Sequence, residues 1–365
     1  MAKVASIWSR LGEVAGLVAT PLLPSHYLAL IRPHVRQARV EAIRDEAPGV
    51  KTLVLRPARG WQGHEAGQHV RVGLAVDGRL VARTYSISSP PERRDGRIEI
   101  TVKAQGRVSN ALHALEPGAF VTLGAAGGEF TLPEVPRGPL AAHDVAVGMT
   151  WRVLFVTAGS GVTPVASMLR SCAARGEMPD VVHVHYARTP ADVIFGEELR
   201  SLAVDHPSYR LVEIHTSAGG GHVSTAGLDA LAADWREREA WACGPQALLD
   251  TIAAAYAGAG RADQLHVERF RAALAVIPNA CGGRVAFATS AVATDADGTT
   301  PLLHIAEAAG LAPPHGCRMG ICHTCDASLV SGCVRDLRTG TTIDEPGARI
   351  QICVCAAAGD VELSL

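Results

Sequence analysis

The cysteines constrain this chain more than any other feature. Nine are spread over 365 residues, at 172, 243, 281, 317, 322, 325, 333, 353 and 355, so six fall within the last 49. An odd number, thin along most of the chain and then crowded, is not the framework of a disulfide-stapled secreted domain. It points to metal or redox chemistry and to a short loop that turns several thiols toward one place. Three of them lie in His315-Gly316-Cys317-Arg318-Met319-Gly320-Ile321-Cys322-His323-Thr324-Cys325, with glycines where the backbone has to fold tightly.

At roughly 150 residues per domain, the length predicts two to three domains. Lys and Arg number 34 against 36 Asp and Glu, a formal charge of -2. That balance argues against a nucleic-acid partner, which calls for a basic excess on some domain. Apolar residues at 48% and charged residues at 19% suffice for buried cores. No apolar run reaches the roughly 18 residues of a membrane span, and the expected location is cytoplasmic.

Residues 1–34 stand apart. Ile7, Trp8, Leu11, Val14, Ala15 and Val18 recur at helical spacing beside Lys3 and Arg10, and Pro21 and Pro24 break the pattern. This amphipathic segment either packs on the protein's own surface or makes peripheral contact with the inner face of a membrane or a membrane-bound partner. From 35 to 140 the chain turns to short β-like runs: Lys51–Leu55, His69–Leu74, Leu80–Ser86, Arg97–Lys103 and Phe120–Leu123. The turns Asp77-Gly78 and Asp95-Gly96 favour an antiparallel β-barrel. Over 150–272, runs at 153–157, 181–186, 210–215 and 240–243 alternate with helical stretches near 164–175, 195–203, 226–236 and 245–258. That alternation implies a doubly wound α/β domain with a parallel sheet. Residues 273–283, with Pro278 and Gly282-Gly283, read as a linker. A third domain over 284–365 holds a helix opened by Pro301 and closed by Gly310, strand-like runs at 349–353 and 361–365, and a turn at Ser331-Gly332-Cys333.

The spacing Cys317-x4-Cys322-x2-Cys325 followed by a late cysteine is that of plant-type [2Fe–2S] ferredoxins. A zinc site is the alternative, but zinc motifs usually pair two Cys-x2-Cys units. The fourth ligand is Cys353 or Cys355, with 27 or 29 residues intervening after Cys325. The longer interval favours Cys355. The ending Ile352-Cys353-Val354 through Gly359-Asp360-Val361 resembles the ferredoxin terminus, with an aspartate seven residues after the ligand, and puts Cys353 ahead. Cys333 reads as a bystander.

Three further motifs follow in order. Arg83-Thr84-Tyr85-Ser86 ends a strand, and in it the chain resembles the ferredoxin–NADP reductase superfamily. The resemblance implies that Arg83 pairs with a flavin phosphate, with Thr84 beside it. Tyr85 would lie along the isoalloxazine and Ser86 near its reactive edge. Lys103, Gly106, Val108 and Ser109, before a helix expected at 111–115, resemble the family's pyrophosphate cradle, which implies FAD ahead of FMN. Gly159-Ser160-Gly161-Val162-Thr163-Pro164, between a strand and a helix, resembles the family's nicotinamide-nucleotide turn, and Cys243-Gly244-Pro245 its partner motif. Ser86, Thr163 and Cys243 are the candidate catalytic residues, although a lone buried cysteine is also ordinary core filler. Arg188, at a strand end, leans toward NADPH with NADH kept open. Glu268 and Phe270 would stand near the flavin, or simply pack between domains.

Together these imply a multidomain oxidoreductase: an antiparallel β-barrel flavin domain, a doubly wound nucleotide domain and an α+β β-grasp ferredoxin domain. Electrons would run from NAD(P)H through FAD and a [2Fe–2S] cluster to an oxygen-activating partner. Pro24-Ser25-His26-Tyr27-Leu28, Arg83–Ser89, Val184-His185-Tyr186-Ala187-Arg188 and Gly359-Asp360-Val361-Glu362-Leu363 resemble reductases that serve membrane fatty acyl desaturases. The alternatives are the reductase component of a ring-hydroxylating dioxygenase, a self-contained flavin or ferric reductase, and a non-enzymatic redox sensor. Residues 138–152 exceed the family's usual interdomain connector and read as a surface loop.

Overall fold

A computed structural model of the chain describes residues 37–76, 79–133, 151–270, 280–315, 318–320 and 323–365. The N-terminal amphipathic segment, the Asp77-Gly78 turn, most of the 138–152 loop and two of the candidate metal ligands, Cys317 and Cys322, lie outside them. The chain divides into two compact units. One takes in the described residues up to Val81, Tyr85–His222 and Ala226–Trp241. The other is Ala82–Thr84, Val223–Thr225 and Ala242–Leu365.

The first unit opens with β1 (Gln37–Ala47), β2 (Val50–Pro57), β3 (His69–Val76), β4 (Arg79–Ser86), β5 (Ile98–Lys103), helix α1 (Arg107–His113) and β6 (Phe120–Gly127). Their sheet order is β4-β3-β6-β1-β2-β5, with β1 antiparallel to β2 and β6, and β2 antiparallel to β5. The two edges meet just past β4, where Ile87 bridges Ile100 of β5 and the Ser88 amide donates to the Glu99 carbonyl at 2.8 Å. That closure removes the free edges and makes the sheet a barrel. Its inside is filled by branched side chains, among them Leu53, Leu55, Val70, Val72, Ile87, Ile98, Ile100 and Val121. Leu112 of α1 packs into the same core. The long strand β1 lies outside the five runs picked out by patterning, because its alternating apolar residues Ala38, Val40 and Ala42 are mostly small and the pattern stops at Arg44-Asp45-Glu46.

The rest of this unit is built on β7 (Arg152–Ala158), α2 (Val162–Arg175), β8 (Asp180–Ala187), α3 (Gly196–Asp205), β9 (Tyr209–His215), α4 (Thr225–Leu231) and β10 (Glu239–Cys243). These strands stand in the order β10-β7-β8-β9, and β8 is parallel to both β7 and β9. Helix α4 is shorter than the 226–236 stretch predicted. It ends at Leu231, and a 3-10 turn at Trp235–Glu237 buries Trp235.

The second unit contains α5 (Gln246–Gly258), β11 (Leu265–Glu268), β12 (Gly283–Phe287), β13 (Val292–Ala296), α6 (Leu302–Ala308), β14 (Asp326–Asp336), β15 (Thr342–Ile343), β16 (Arg349–Gln351) and β17 (Cys355–Leu363). The C-terminal sheet runs β13-β12-β17-β14-β15, with β16 also on β14. Strand β12 is parallel to β17, which is antiparallel to β14. Helix α6 lays Leu302, Leu303 and Ala306 on the sheet's apolar face. This is the α+β arrangement predicted, with one correction. Ser331-Gly332-Cys333 is not a turn between elements but the bulged middle of an 11-residue strand. Gly332 has φ +90°, and a Cβ there would lie 2.0 Å from the Asp360 carbonyl oxygen, so only glycine fits the bulge. Among the described residues, no helix is long and apolar enough to cross a membrane.

Candidate functional site

Arg83, Thr84, Tyr85 and Ser86 close β4. Ser86 is buried, and Tyr85 packs on the barrel core. An Nη1 proton of Arg83 goes to the carbonyl of Ala82 at 2.8 Å. Lys103 ends β5, exposed. The expected cradle is a turn into α1, which starts at Arg107, earlier than the predicted 111. The Ser109 hydroxyl accepts the amides of Gln105 and Gly106 at 3.0 and 2.9 Å and donates to the Gly106 carbonyl at 3.0 Å. Ser109 therefore shapes the turn. Val108 points into the barrel, where it is buried with Leu112.

Gly159 and Gly161 form a 3-10 turn at the end of β7, and α2 follows with Thr163 and Pro164 in its first turn. Gly159 has φ +52°, a left-handed conformation that favours glycine. The Thr163 hydroxyl is taken by the Ser160 carbonyl at 2.9 Å, so it braces the turn. Cys243, Gly244 and Pro245 leave the end of β10, with Pro245 capping α5. Burial pushes the Cys243 thiol well up, and the Glu268 carboxylate, whose Oε2 lies 4.0 Å from Sγ, pushes it the same way. Cys243 is accordingly a neutral thiol, suited to contact and not to nucleophilic attack. Phe270 is 40% exposed. Arg188 is 79% exposed at the end of β8 and pairs with Asp192 at 3.6 Å.

In the turns just before β14 and β17 the structure brings Cys325 and Cys353 together. A hydrogen bond from Cys353, the dominant cause, lowers Cys325 to about 6, against the opposing effect of burial. A thiol so lowered readily gives the thiolate that metals bind. Cys355 is different. It opens β17 opposite Asp336, and burial pushes its thiol up to about 12. The loop before Cys325 is bent by left-handed residues at Arg318 (φ 57°), Gly320 (φ 70°) and His323 (φ 53°), two of them not glycine. Such conformations persist only where surroundings hold them. Here Arg318 pairs with Glu307, His323 with Asp326 at 3.2 Å, and Arg338 donates to the Gly320 carbonyl at 2.6 Å. These held left-handed residues, beside paired thiols of which one is depressed, fit an iron–sulfur cluster.

Sequence reasoning missed a group of residues in the first unit. Ser167, Arg170 and Ser171 stand at i, i+3 and i+4 in α2, a polar stripe in the otherwise apolar middle of the helix, among Val165, Ala166, Met168, Leu169 and Cys172. That stripe was the available signal. It meets the segment leaving β4: Ser167 Oγ donates to the Ser89 carbonyl at 2.7 Å and Arg170 Nη1 to the Ser88 carbonyl at 2.6 Å. Ser171 Oγ donates to Glu92 at 2.7 Å.

Comparison with known proteins agrees with this geometry. Residues 39–132 match the family described as Oxidoreductase FAD-binding domain, 155–254 Oxidoreductase NAD-binding domain, and 288–358 2Fe-2S iron-sulfur cluster binding domain. The chain is 42% identical to an NADPH oxidoreductase of Mycobacterium tuberculosis, over 98% of this chain and 93% of the relative. It is 32% identical to the ferredoxin reductase component of 3-ketosteroid-9-alpha-monooxygenase from Mycolicibacterium smegmatis, over 82% of this chain and 87% of the relative. Its fold is that of phthalate dioxygenase reductase, with a TM-score of 0.61, 22% identity and coverage of 92% of this chain and 99% of that one. The chain therefore belongs to the family of oxidoreductases that join an FAD-binding domain, an NAD(P)-binding domain and a C-terminal [2Fe–2S] ferredoxin domain in one polypeptide.

Proposed function

We propose that this reductase draws electrons from NADPH, in preference to NADH, and delivers them singly from its cluster to an oxygen-activating iron enzyme, a membrane-bound fatty acyl desaturase or hydroxylase. The observation that carries the reading is the 2Fe-2S cluster binding domain at residues 288–358, joined to the FAD- and NAD-binding domains, since a one-electron carrier at the end of the chain calls for an acceptor that takes electrons one at a time. When bound, FAD and a [2Fe–2S] cluster would supply the conversion of a two-electron hydride from NADPH into single electrons. The protein's part is to bind and position. Arg83 and Lys103 would hold flavin phosphate charge, the Gly106–Val108 turn would approach the pyrophosphate, and Tyr85 and Ser86 would order the ring. Gly159, Gly161, Thr163 and Pro164 would present the nicotinamide nucleotide, with Cys243, Gly244 and Pro245 as its second wall and Glu268 and Phe270 beside the flavin. Arg188, exposed and cationic at the end of β8, would meet the 2′-phosphate. Cys317, Cys322, Cys325 and Cys353 would ligate the iron.

The desaturase assignment draws support from the resemblance of the Arg83–Ser89 and Val184–Arg188 segments to desaturase reductases. The amphipathic residues 1–34, a means of peripheral membrane contact, support it too. A soluble oxygenase is the second reading, favoured by the relative named as a monooxygenase component. Reconstitution with each acceptor class separates them. The proposal expects NADPH-dependent acyl desaturation in membranes, weakened when residues 1–30 are deleted. Turnover with only a soluble oxygenase would contradict it.

A further inference from the structure

We propose that Arg170 is a positioning residue for hydride transfer, fixing the helix that carries the nicotinamide-nucleotide turn against the segment that leaves the flavin strand. This rests on the reading of Arg83–Ser86 and Gly159–Pro164 given above. Helix α2 begins at Val162, directly after the Gly159–Gly161 turn, and any movement of its axis moves that turn. Ser88 lies two residues beyond Ser86, so its carbonyl is fixed to the end of the flavin strand.

Arg170 joins the two with every face of its guanidinium. One Nη1 proton goes to the Ser88 carbonyl at 2.6 Å. Nε and Nη2 form a fork on Glu198 of α3, at 2.6 and 2.5 Å. Nη1 also stands 3.6 Å from Glu99 Oε2, and the guanidinium carbon lies 4.5 Å from the centre of the Phe195 ring. The side chain is only 13% exposed. Its partners are barrel residues on one side and nucleotide-domain residues on the other.

The barrel side is itself rigid. Glu99 is held by Arg44 at 3.1 Å and by Arg93 at 2.6 Å, and its amide donates to the Ser89 hydroxyl at 3.0 Å. Ser88 and Ser89 are fully buried, and the Ser89 carbonyl also accepts from Ser167 Oγ at 2.7 Å. The α2 side is anchored twice, one helical turn apart. A contact meant only for stability has no need of a charged fork at this place, because burying a guanidinium is costly unless it is fully partnered. A fork that reaches both the flavin segment and α3 instead sets an angle, and hydride transfer is sensitive to distances well below 1 Å.

The test is anaerobic stopped-flow reduction of the holoprotein by NADPH for the wild type, Arg170→Ala, Arg170→Lys and Ser167→Ala. It reads the limiting rate of flavin reduction, the apparent Kd for NADPH and the long-wavelength charge-transfer absorbance of the nucleotide complex. Arg170→Ala is expected to lower the limiting rate about tenfold or more and to weaken the charge-transfer absorbance, with Kd shifting less than about twofold. Arg170→Lys keeps the charge and the reach to Ser88 and should recover part of both. If Arg170→Ala does not fold, Ser167→Ala carries the test, with the same split at smaller amplitude. A wild-type limiting rate in the folded alanine variants overturns the proposal, and so does a raised Kd at an unchanged rate. A wild-type flavin that neither NADPH nor NADH reduces overturns the function reading beneath it, a failure visible before any variant is made.

Discussion

At the scale of single residues, the fourth cluster ligand is the sharpest test. Cys353 sits in the turn before β17 with its thiol against Cys325, whereas Cys355 is fixed in the strand opposite Asp336. Cys353→Ser is expected to abolish the iron–sulfur absorption and the bound iron and sulfide, and Cys355→Ser to leave both in place. Iron and sulfide analysis of the two purified variants checks this, and cluster loss in Cys355→Ser alone would reverse the assignment. Arg188 offers a second test. Its exposed side chain pairs with Asp192 at 3.6 Å, and that exposure leaves it able to meet a phosphate. A hydrogen bond to a charged group is worth about 1.5–3 kcal/mol, so Arg188→Ala should cut the preference for NADPH over NADH by about tenfold or more. The change should come through KM for NADPH, and an unchanged ratio of kcat/KM values would remove Arg188 from phosphate recognition.

At the scale of elements, the sheet faces hold chemistry that motifs do not reveal. On one face of the parallel sheet, Thr157 Oγ1 is 2.8 Å from His183 Nε2 and 2.7 Å from His185 Nδ1, and His183 Nδ1 is 2.9 Å from the Tyr209 hydroxyl. Burial, partly countered by Glu213 and assisted by His215, holds His185 down to about 4 from an ordinary 6.5, and burial with His185 depresses His183 as well. Between those values the unfolded chain binds a proton that the folded one refuses. Stability is therefore complete above pH 6.5 and falls as pH drops toward 4, by about 3 kcal/mol for His185. Denaturant unfolding followed by tryptophan fluorescence at pH 7, 5 and 4 should show the fall, and His185→Gln should make it shallower. An equally steep fall in that variant would place the effect elsewhere. In the C-terminal sheet, Gly332→Ala forces a Cβ against the Asp360 carbonyl at a φ of +90° and should cost about 1–3 kcal/mol, read as a lower Tm.

The alternation of strand and helix after residue 150 was legible because β7, β8 and β10 are buried on both faces and read as short buried runs. The closed barrel was legible from its turns. Strand β1 was not, since its alternating apolar residues Ala38, Val40 and Ala42 are mostly small and the pattern stops at Arg44-Asp45-Glu46. The bulge at Gly332 looked like a turn because glycine serves both. Of the proposed site, the cysteine loop and the Gly159 turn stand out in the sequence as motifs, because their pattern depends on local spacing. Arg170 does not, because its partners Ser88 and Glu198 lie 82 and 28 residues away.

At the scale of the whole molecule, three domains on one chain make sense only if electrons pass along all of them. Of its nine cysteines the chain commits four to the proposed cluster. An NAD-binding domain and an FAD-binding barrel complete it. The measurement that tests this most directly is an anaerobic absorption titration of the purified holoprotein with NADPH. The account predicts that near-stoichiometric NADPH bleaches the flavin and iron–sulfur bands together, and that NADH does so less effectively. Bleaching of the flavin alone, with iron and sulfide shown to be present, would contradict it.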